Sequence, residues 1–494
     1  MKVKKISGFI WLALISITIN GQVRQPHSLY FMNTIPQVAQ MNPAFQPRAN
    51  VYVSLPLNVN IDLLSDLAMK DIFQKQDGKW YTPIEKQYDY DKLWKATGKK
   101  ATMFNGAVDW DIIGFGFRIG DGYFSFGASQ HISSINALPS DLFRIIENGF
   151  PDNTKLDFSP MRTQTTGYMQ FLFGYSHKIG DRLTVGVNVK PLMGQAAYTT
   201  KIKKFNLNTS ELQWDVNVKG NVYSSAPVEV TMKEDDGNKV DNIEFRDFSD
   251  YEVRDWIKYG MGFNNPGIAF DLGAAFQIDE RLTVSASLNN LGFISWKNKE
   301  DLNSVSFNGN YTFDGLHHDI STDDDVDTIL ENLLDELADA VDYHVQNDKF
   351  KTPLAPAFHA GASYSLSRSV SAGFLSRTVF WKNAVRQSFN LSAYFQPFSF
   401  VSFNAGITYQ VKGNAYLGGG LMFYLGPLPL QFYILTDYLP VYYSTIQIGS
   451  DSDVRIPFPE RQKSITIRTG LNFVFGRHGY TNRPMLDKGK SSWN

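Results

Sequence analysis

The stretch Val401-Ser402-Phe403-Asn404-Ala405-Gly406-Ile407-Thr408-Tyr409-Gln410 decides the fold class, because apolar and small polar residues alternate along it. Side chains of a β-strand project alternately to its two faces, so Phe403 and Ile407 share one face while Asn404 and Thr408 share the other. The length, about ten residues, is that of a strand that crosses a bilayer. The stretch therefore predicts one strand of a transmembrane β-barrel, with its apolar face toward lipid and its polar face toward a wet lumen.

The same alternation recurs at residues 183–190, 282–289 and 465–475. The apolar members are Leu183, Val185, Val187 and Val189, then Leu282, Val284, Ala286 and Leu288, and finally Ile465, Ile467, Leu471, Phe473 and Phe475. A soluble β-sandwich alternates in the same way, so the pattern alone leaves both classes open. The predicted cellular location of the chain, which its N-terminus indicates, separates these two classes.

The N-terminus has the features of a secretory signal peptide. Lys2, Lys4 and Lys5 precede an uncharged apolar run over residues 6–19, and Gly21 supplies a small residue before a cut. The mature chain is therefore predicted to begin at Gln22. Beyond residue 21 no apolar stretch approaches the roughly 20 residues of a transmembrane helix, so any membrane span must be a strand, and the predicted location is the cell outer membrane.

Composition excludes several classes of function. The chain has no cysteine, which removes thiol catalysis and cysteine-based metal sites. Its 47 basic and 49 acidic residues give a formal charge of −2, which becomes −5 when the three leader lysines are removed, so no nucleic-acid partner is expected. Aromatic residues at 14%, 38 glycines and a mean hydropathy of −0.24 are typical of a barrel with a wet interior and polar loops.

Turn signals predict the number of strands. Six short turns, at residues 120–122, 179–182, 278–281, 366–369, 396–399 and 426–429, would join twelve strands. An opening strand at about 51–63 and a closing strand at about 463–476 make an all-β, antiparallel transmembrane barrel of about 14 strands, an even number that returns both termini to the periplasm. Residues 204–233 also alternate, so a barrel of 16 strands remains open.

The predicted domains follow from this count: residues 1–21 are the signal peptide, 22–50 an N-terminal plug segment, 51–476 the barrel and 477–494 a periplasmic tail. Long extracellular loops are predicted at 64–105, 134–164, 204–265, 297–355 and 445–462. A helical period between residues 321 and 346, and a shorter one over 140–148, predict helices in two of these loops. Aromatic residues at strand ends predict an interfacial girdle made of Trp296, Phe380, Trp381, Tyr438, Tyr442 and Tyr443.

No motif predicts catalysis, a cofactor or a metal ion. His317 and His318 lie beside Asp319, but their spacing matches no closed zinc or EF-hand pattern. The chain has no P-loop, H-E-x-x-H motif or nucleophile elbow, and the order of residues leaves open whether a serine and a histidine meet on the barrel. We therefore predict a protein that is not an enzyme.

Residues 33–47, which precede the first strand, carry the most specific motif. Three prolines exclude a strand, and Asn42-Pro43-Ala44 directly before a barrel resembles the N-terminal plug of the FadL-like outer-membrane superfamily, which includes PorV-like accessory barrels of secretion systems. Two hairpins of similar sequence, at residues 181–185 and 280–284, resemble those of uncharacterised outer-membrane barrel proteins of Bacteroidota. Phe45-Gln46-Pro47 departs from the small residues that usually follow the motif in the transporters.

The resemblance implies 14 strands and a lumen plugged at Asn42, Pro43 and Ala44. It also implies a monomer in outer-membrane lipid that acts as a transporter or receptor for a hydrophobic or amphipathic small molecule. The alternative is a non-transporting accessory barrel of a secretion system, or a surface interaction or adhesion protein, whose long loops dock secretion-machinery proteins or other partners.

Overall fold

The computed structural model describes residues 26–76, 79–83, 87–97, 100–149, 152–210, 213–226, 228–232, 240–245, 252, 254, 264–313, 342–381, 384–411, 415–425, 428–439, 443–447, 455–459, 461 and 463–477. Fourteen antiparallel strands form the wall of one barrel. In chain order they are β1 (Ala49–Ser54 and Asn58–Ser65), β2 (Ala101–Ile119), β3 (Gly122–Pro139), β4 (Arg162–Ile179), β5 (Leu183–Thr209), β6 (Pro266–Gln277), β7 (Leu282–Trp296), β8 (Phe350–Pro353 and Ala357–Ser365), β9 (Val370–Trp381), β10 (Ala384–Phe398), β11 (Val401–Gln410), β12 (Ala415–Tyr424), β13 (Leu430–Thr436) and β14 (Ser464–Arg477).

The ring closes because β14 pairs with β13 on one edge and with β1 on the other. Every other wall strand pairs with its neighbours in chain order. The predicted fold class and the count of 14 are confirmed. The barrel begins at Ala49 and ends at Arg477, slightly outside the predicted limits of 51 and 476.

The two faces of the wall are as the alternation predicts. On β11, Ile407 is 53% exposed on the outer face, whereas its neighbour Thr408 is 1% exposed on the inner face. Phe403 and Asn404 divide between the faces in the same way. The outer surface of the barrel is therefore apolar and the lumen is polar, which is the arrangement of outer-membrane barrels.

One end of the barrel, which we call the turn end, has short connections between consecutive strands. In the turn between β6 and β7, Oδ1 of Asp279 accepts hydrogen bonds from the backbone N–H groups of Arg281, at 2.7 Å, and Leu282, at 2.8 Å. These two bonds stabilise the carboxylate and lower the pKa of Asp279. The chain enters β1 and leaves β14 at the same end.

The opposite, loop end carries additional structure. β5 continues past the ring and pairs with Trp214–Ser225, which pairs with Leu302–Phe313, which in turn pairs with Asp342–Gln346. These three strands, which with the extension of β5 form the loop-end sheet, lie outside the ring, so the alternation within residues 204–233 does not add wall strands. Short helices span Met69–Ile72, Tyr90–Ala96 and Ser140–Asn148, the last of which agrees with the helix predicted over 140–148.

Two expectations at the loop end are wrong. The helix predicted over residues 321–346 does not include Asp342–Gln346, because cross-strand pairing with Leu302–Phe313 outweighs the local helical period. The rest of that prediction, residues 321–341, lies outside the described residues. Trp296 and Tyr438 are buried rather than part of an outer girdle, and Nε1 of Trp296 donates to Oγ1 of Thr352 at 2.8 Å.

Phe380, by contrast, is exposed, and the side chains of Trp381, Tyr442 and Tyr443 lie outside the described residues. Over the described part of the chain, no helix is long and apolar enough to cross a membrane.

Candidate functional site

Residues 26–48, which we call the N-terminal segment, occupy the lumen. The segment forms two 3-10 turns, His27–Phe31 and Pro36–Gln40. Its apolar side chains Ile35, Val38 and Met41 are at most 1% exposed. Short 3-10 turns satisfy part of the backbone locally, and the wall supplies the remaining partners.

Hydrogen bonds between the segment and the wall hold the segment along its length. Near the turn end, Nε2 of Gln46 donates to the carbonyl of Asp121 at 2.9 Å. Farther along, Nε2 of Gln431 on β13 donates to the carbonyl of Thr34 at 2.7 Å. In the ring, β14 and β1 lie between β13 and β2, so these partners belong to different strands and the segment does not follow a single one.

The start of the segment is anchored by one carboxylate. Oδ2 of Asp437, just after β13, accepts from the backbone N–H of His27 at 2.7 Å and lies 2.5 Å from its Nδ1. Oδ1 of Asp437 accepts from the backbone N–H of Ser28 at 3.2 Å, and Nε2 of His27 lies 2.9 Å from Oγ of Ser388. His27 and Asp437 are both about 2% exposed, so this anchor is shielded from water.

Asn42, Pro43 and Ala44 lie against a notch in the wall. Gly186 on β5 and Gly273 on β6 are direct cross-strand partners. A Cβ built on Gly186 would overlap the carbonyl of Pro43, and one built on Gly273 would overlap Oδ1 of Asn42. Glycine at both positions therefore gives the segment room to approach the wall backbone.

Asn42 fixes this close approach from the side of the segment. Its Nδ2 donates to the carbonyls of Ala274 at 3.4 Å and Ala286 at 3.2 Å. Its Oδ1 accepts from the backbone N–H of Ala44 at 3.0 Å, which stabilises the turn through Pro43. One side chain thus links the segment to the two strands β6 and β7.

Three further glycines make room for large side chains of the segment. A Cβ at Gly361 would lie 2.5 Å from the ring of Tyr30, and one at Gly373 would lie 2.6 Å from the ring of Phe31. At Gly420 the added atom would lie 2.9 Å from Sδ of Met32. The inner wall is therefore shaped to the segment on several strands.

A polar cavity of about 80 Å³ lies in the lumen on the loop-end side of Gln40 and Met41. Its wall includes Asp109 on β2 and, seven strands away on β9, Arg377. Lys190 on β5 also lines it and forms a buried ion pair with Asp271 at 2.6 Å. This charged lining departs from the apolar interior that a carrier of pure hydrocarbons requires.

At a bulge in the wall, two neighbouring asparagines form hydrogen bonds to the segment and to a lysine that lines the cavity. The β6–β7 register shifts between Phe270 and Leu272, and Asn290 opposite has a positive φ of 60°. Nδ2 of Asn289 donates to the carbonyls of Gln40 and Met41, both at 3.0 Å, while Oδ1 of Asn290 accepts from Lys190 at 2.9 Å.

The structure therefore places the predicted motif Asn42-Pro43-Ala44 inside the ring, against β5 and β6. The cavity residues were not foreseen, because they are spread from Asp109 to Arg377 and carry no local motif. His317, His318 and Asp319 lie outside the described residues. Within the described residues no group of three His, Asp or Glu side chains is placed to hold a metal ion.

A family model described as a family of unknown function, DUF5723, matches residues 43–437. No curated protein matches the chain. The toluene transporter TbuX of Ralstonia pickettii aligns at 10% identity over 89% of this chain and 94% of its own, with a TM-score of 0.41. A FadL homologue of Pseudomonas aeruginosa aligns at 11% identity over 93% of this chain and 100% of its own, with a TM-score of 0.44.

Proposed function

The chain belongs to the family of unknown function DUF5723, and we propose that it is an outer-membrane barrel that binds and admits an amphipathic small molecule through a lumen closed by its own N-terminal segment. The observation that carries this proposal is the seating of Asn42-Pro43-Ala44 on the glycine pair Gly186 and Gly273. A segment that is packed against the wall backbone closes the lumen, so passage requires a ligand to displace it.

The chemistry of the lumen favours an amphipathic ligand over a hydrocarbon. The cavity has charged residues on opposite strands, and it meets apolar groups at Met41 and Leu172. A molecule with a polar head satisfies the charged lining, whereas a hydrocarbon would leave those groups desolvated without partners. The ligand enters from the loop end, since the cavity lies on that side of the segment.

Native mass spectrometry of the purified barrel tests the ligand class. Hexanoate and hexane have chains of the same length, short enough to suit the small cavity, and only the first carries a charged head. We expect hexanoate to remain bound after detergent exchange and hexane to be lost. Retention of neither compound, or retention of hexane, would contradict an amphipathic ligand.

A second candidate function is the docking of a protein partner at the loop end. The loop-end sheet favours it, because Trp214–Ser225 and Leu302–Phe313 extend a paired surface beyond the ring that transport does not need. Affinity capture from native outer membranes separates the two candidates. A stoichiometric complex lost on deletion of residues 213–226 would support docking, and an uncomplexed barrel would support transport alone.

A further inference from the structure

Six inward-facing side chains on β2, β3 and β4 form two adjacent rows in the cavity wall. In one row His131 lies between its cross-strand partners Asp109 and Tyr168. In the other row Ser129 lies between Asp111 and Gln170. Residues two apart on a strand share a face, so Ser129 and His131 are neighbours on the inner face of β3. All six residues line the same cavity.

The hydrogen bonds within these rows are directional. Oγ of Ser129 lies 2.8 Å from Nε2 of His131. The other ring nitrogen, Nδ1, makes a short contact with Oδ1 of Asp109. With the proton of the neutral imidazole on Nδ1 and directed at the carboxylate, Nε2 is the acceptor for the hydroxyl of Ser129.

Stacking on one face of the imidazole also holds the ring of His131 in this orientation. The ring of Tyr168 stacks on it, with centroids 4.9 Å apart and an interplanar angle of 16°. Asp109 is 6% exposed, so its carboxylate faces His131 in a largely water-free setting. An acid that fixes the tautomer of a histidine, which in turn accepts from a serine, is the arrangement that activates a serine nucleophile.

We propose that Ser129, His131 and Asp109 form a nucleophilic triad in the lumen that hydrolyses small esters with a short acyl chain. The arrangement is recognised by geometry and by the role of each group, independently of fold. This activity goes beyond the transport proposed above and does not depend on it.

Each residue has a defined part in the reaction. Oγ of Ser129 attacks the ester carbonyl while Nε2 of His131 accepts its proton, and the developing imidazolium is stabilised by Asp109. His131 then returns the proton to the departing alcohol, which leaves an acyl group on Ser129. Water, deprotonated by the same nitrogen, releases the acid and restores the serine.

The side-chain amide of Gln170 is a donor available to the negative charge that develops on the carbonyl oxygen. Its Nε2 donates toward Oγ of Ser129 at 3.4 Å, so the amide lies next to the attacking atom. A side-chain amide in this position can stabilise an oxyanion.

The cavity limits the substrate class. Its volume of about 80 Å³ and mainly polar lining admit a short acyl group on a polar alcohol, while a long acyl chain would meet charged side chains. Small acyl esters of hydrophilic alcohols are therefore the class that we assign.

Active-site labelling of the intact, folded barrel tests the proposal. We expect methanesulfonyl fluoride, whose single methyl group suits the small cavity, to form one adduct, located at Ser129 by peptide mass spectrometry. Methyl acetate should be hydrolysed by the same residue. His131→Asn should slow both reactions by about 100-fold or more, as expected when a general base is lost. Ser125→Ala is the matched control, because Ser125 is buried on the inner face of the same strand and does not line this cavity, and labelling should be unchanged.

The adduct at Ser129 is measured on the unmutated protein, so this result does not depend on whether a variant folds. A hydrogen-bond network that only satisfies buried polar groups would leave Ser129 no more reactive than other serines. Absence of an adduct at Ser129 in the folded barrel, or equal labelling of Ser133, would overturn the proposal.

Discussion

Gly186 and Gly273 face each other across β5 and β6, and the backbone around Pro43 lies directly over this pair. The contact depends on the absence of two Cβ atoms, because the barrel wall and the N-terminal segment otherwise overlap. It joins residues that are far apart in sequence and makes the wall specific for the segment.

A side chain at residue 186 should displace the segment. In Gly186→Val the new atoms overlap the carbonyl of Pro43, and overpacking of this kind costs about 1–3 kcal/mol. We expect the barrel to assemble and the segment to become sensitive to added protease. Gly167→Ala is the matched control, because the nearest atom to its added Cβ is 3.9 Å away. Equal protease resistance in both variants would show that the glycine notch does not hold the segment.

The alternation of the two wall faces could be predicted from the sequence, since it depends only on the period of a strand. Ile407 and Thr408 therefore lie on the expected faces. The motif at Asn42 was also visible in the sequence, where prolines exclude a strand and the resemblance to a known plug implied a place in the lumen. The contact surface of the motif on the wall could not be predicted, because Gly186 and Gly273 become neighbours only through the register between β5 and β6.

Other features depended on contacts between distant parts of the chain. His27 and Asp437 are 410 residues apart, and nothing local to either residue indicates that they meet. Ser129 and His131 stand two apart in the sequence, but Asp109 joins them only through the β2–β3 register. The predicted helix was extended to Gln346, past the last residue of its apolar face, and Asp342–Gln346 forms a strand because it pairs with a distant strand.

The anchor at Asp437 should control exchange at the start of the segment. Asp437→Ala removes the acceptor of the backbone N–H groups of His27 and Ser28, and an unsatisfied buried donor costs about 1–3 kcal/mol. We expect amide hydrogen exchange at these residues to become about 10- to 100-fold faster. Ser388→Ala loses only one neutral partner of the imidazole and should have a smaller effect. The same exchange rate in both variants would contradict the assignment of Asp437 as the anchor.

A charge on the outer face should impair assembly more than one in the lumen. Ile407→Arg places a guanidinium in the apolar outer surface, at a cost of about 2–4 kcal/mol near the bilayer midplane. Ser133→Arg places the same group beside the polar cavity, which the carboxylates of Asp109 and Asp111 also line. Folding yield in lipid vesicles should fall for the first variant only. Equal yields would mean that the outer face is not the lipid face.

The loop end should face the outside of the cell. Asn347 is exposed there, between the loop-end sheet and β8. An epitope inserted beside Asn347 should bind antibody on intact cells, with a tag after residue 477 as the periplasmic control. Labelling of the Asn347 epitope only after the outer membrane is opened would reverse the proposed orientation.

Closure of the lumen by the N-terminal segment is tested most directly by single-channel conductance in planar bilayers. A chain that keeps residues 1–25 and lacks residues 26–47 should still assemble, because the wall hydrogen bonds are formed between strands. The intact barrel should conduct little, and the shortened barrel should conduct several-fold more. A shortened barrel that assembles and conducts no more than the intact one would show that the segment does not close the lumen.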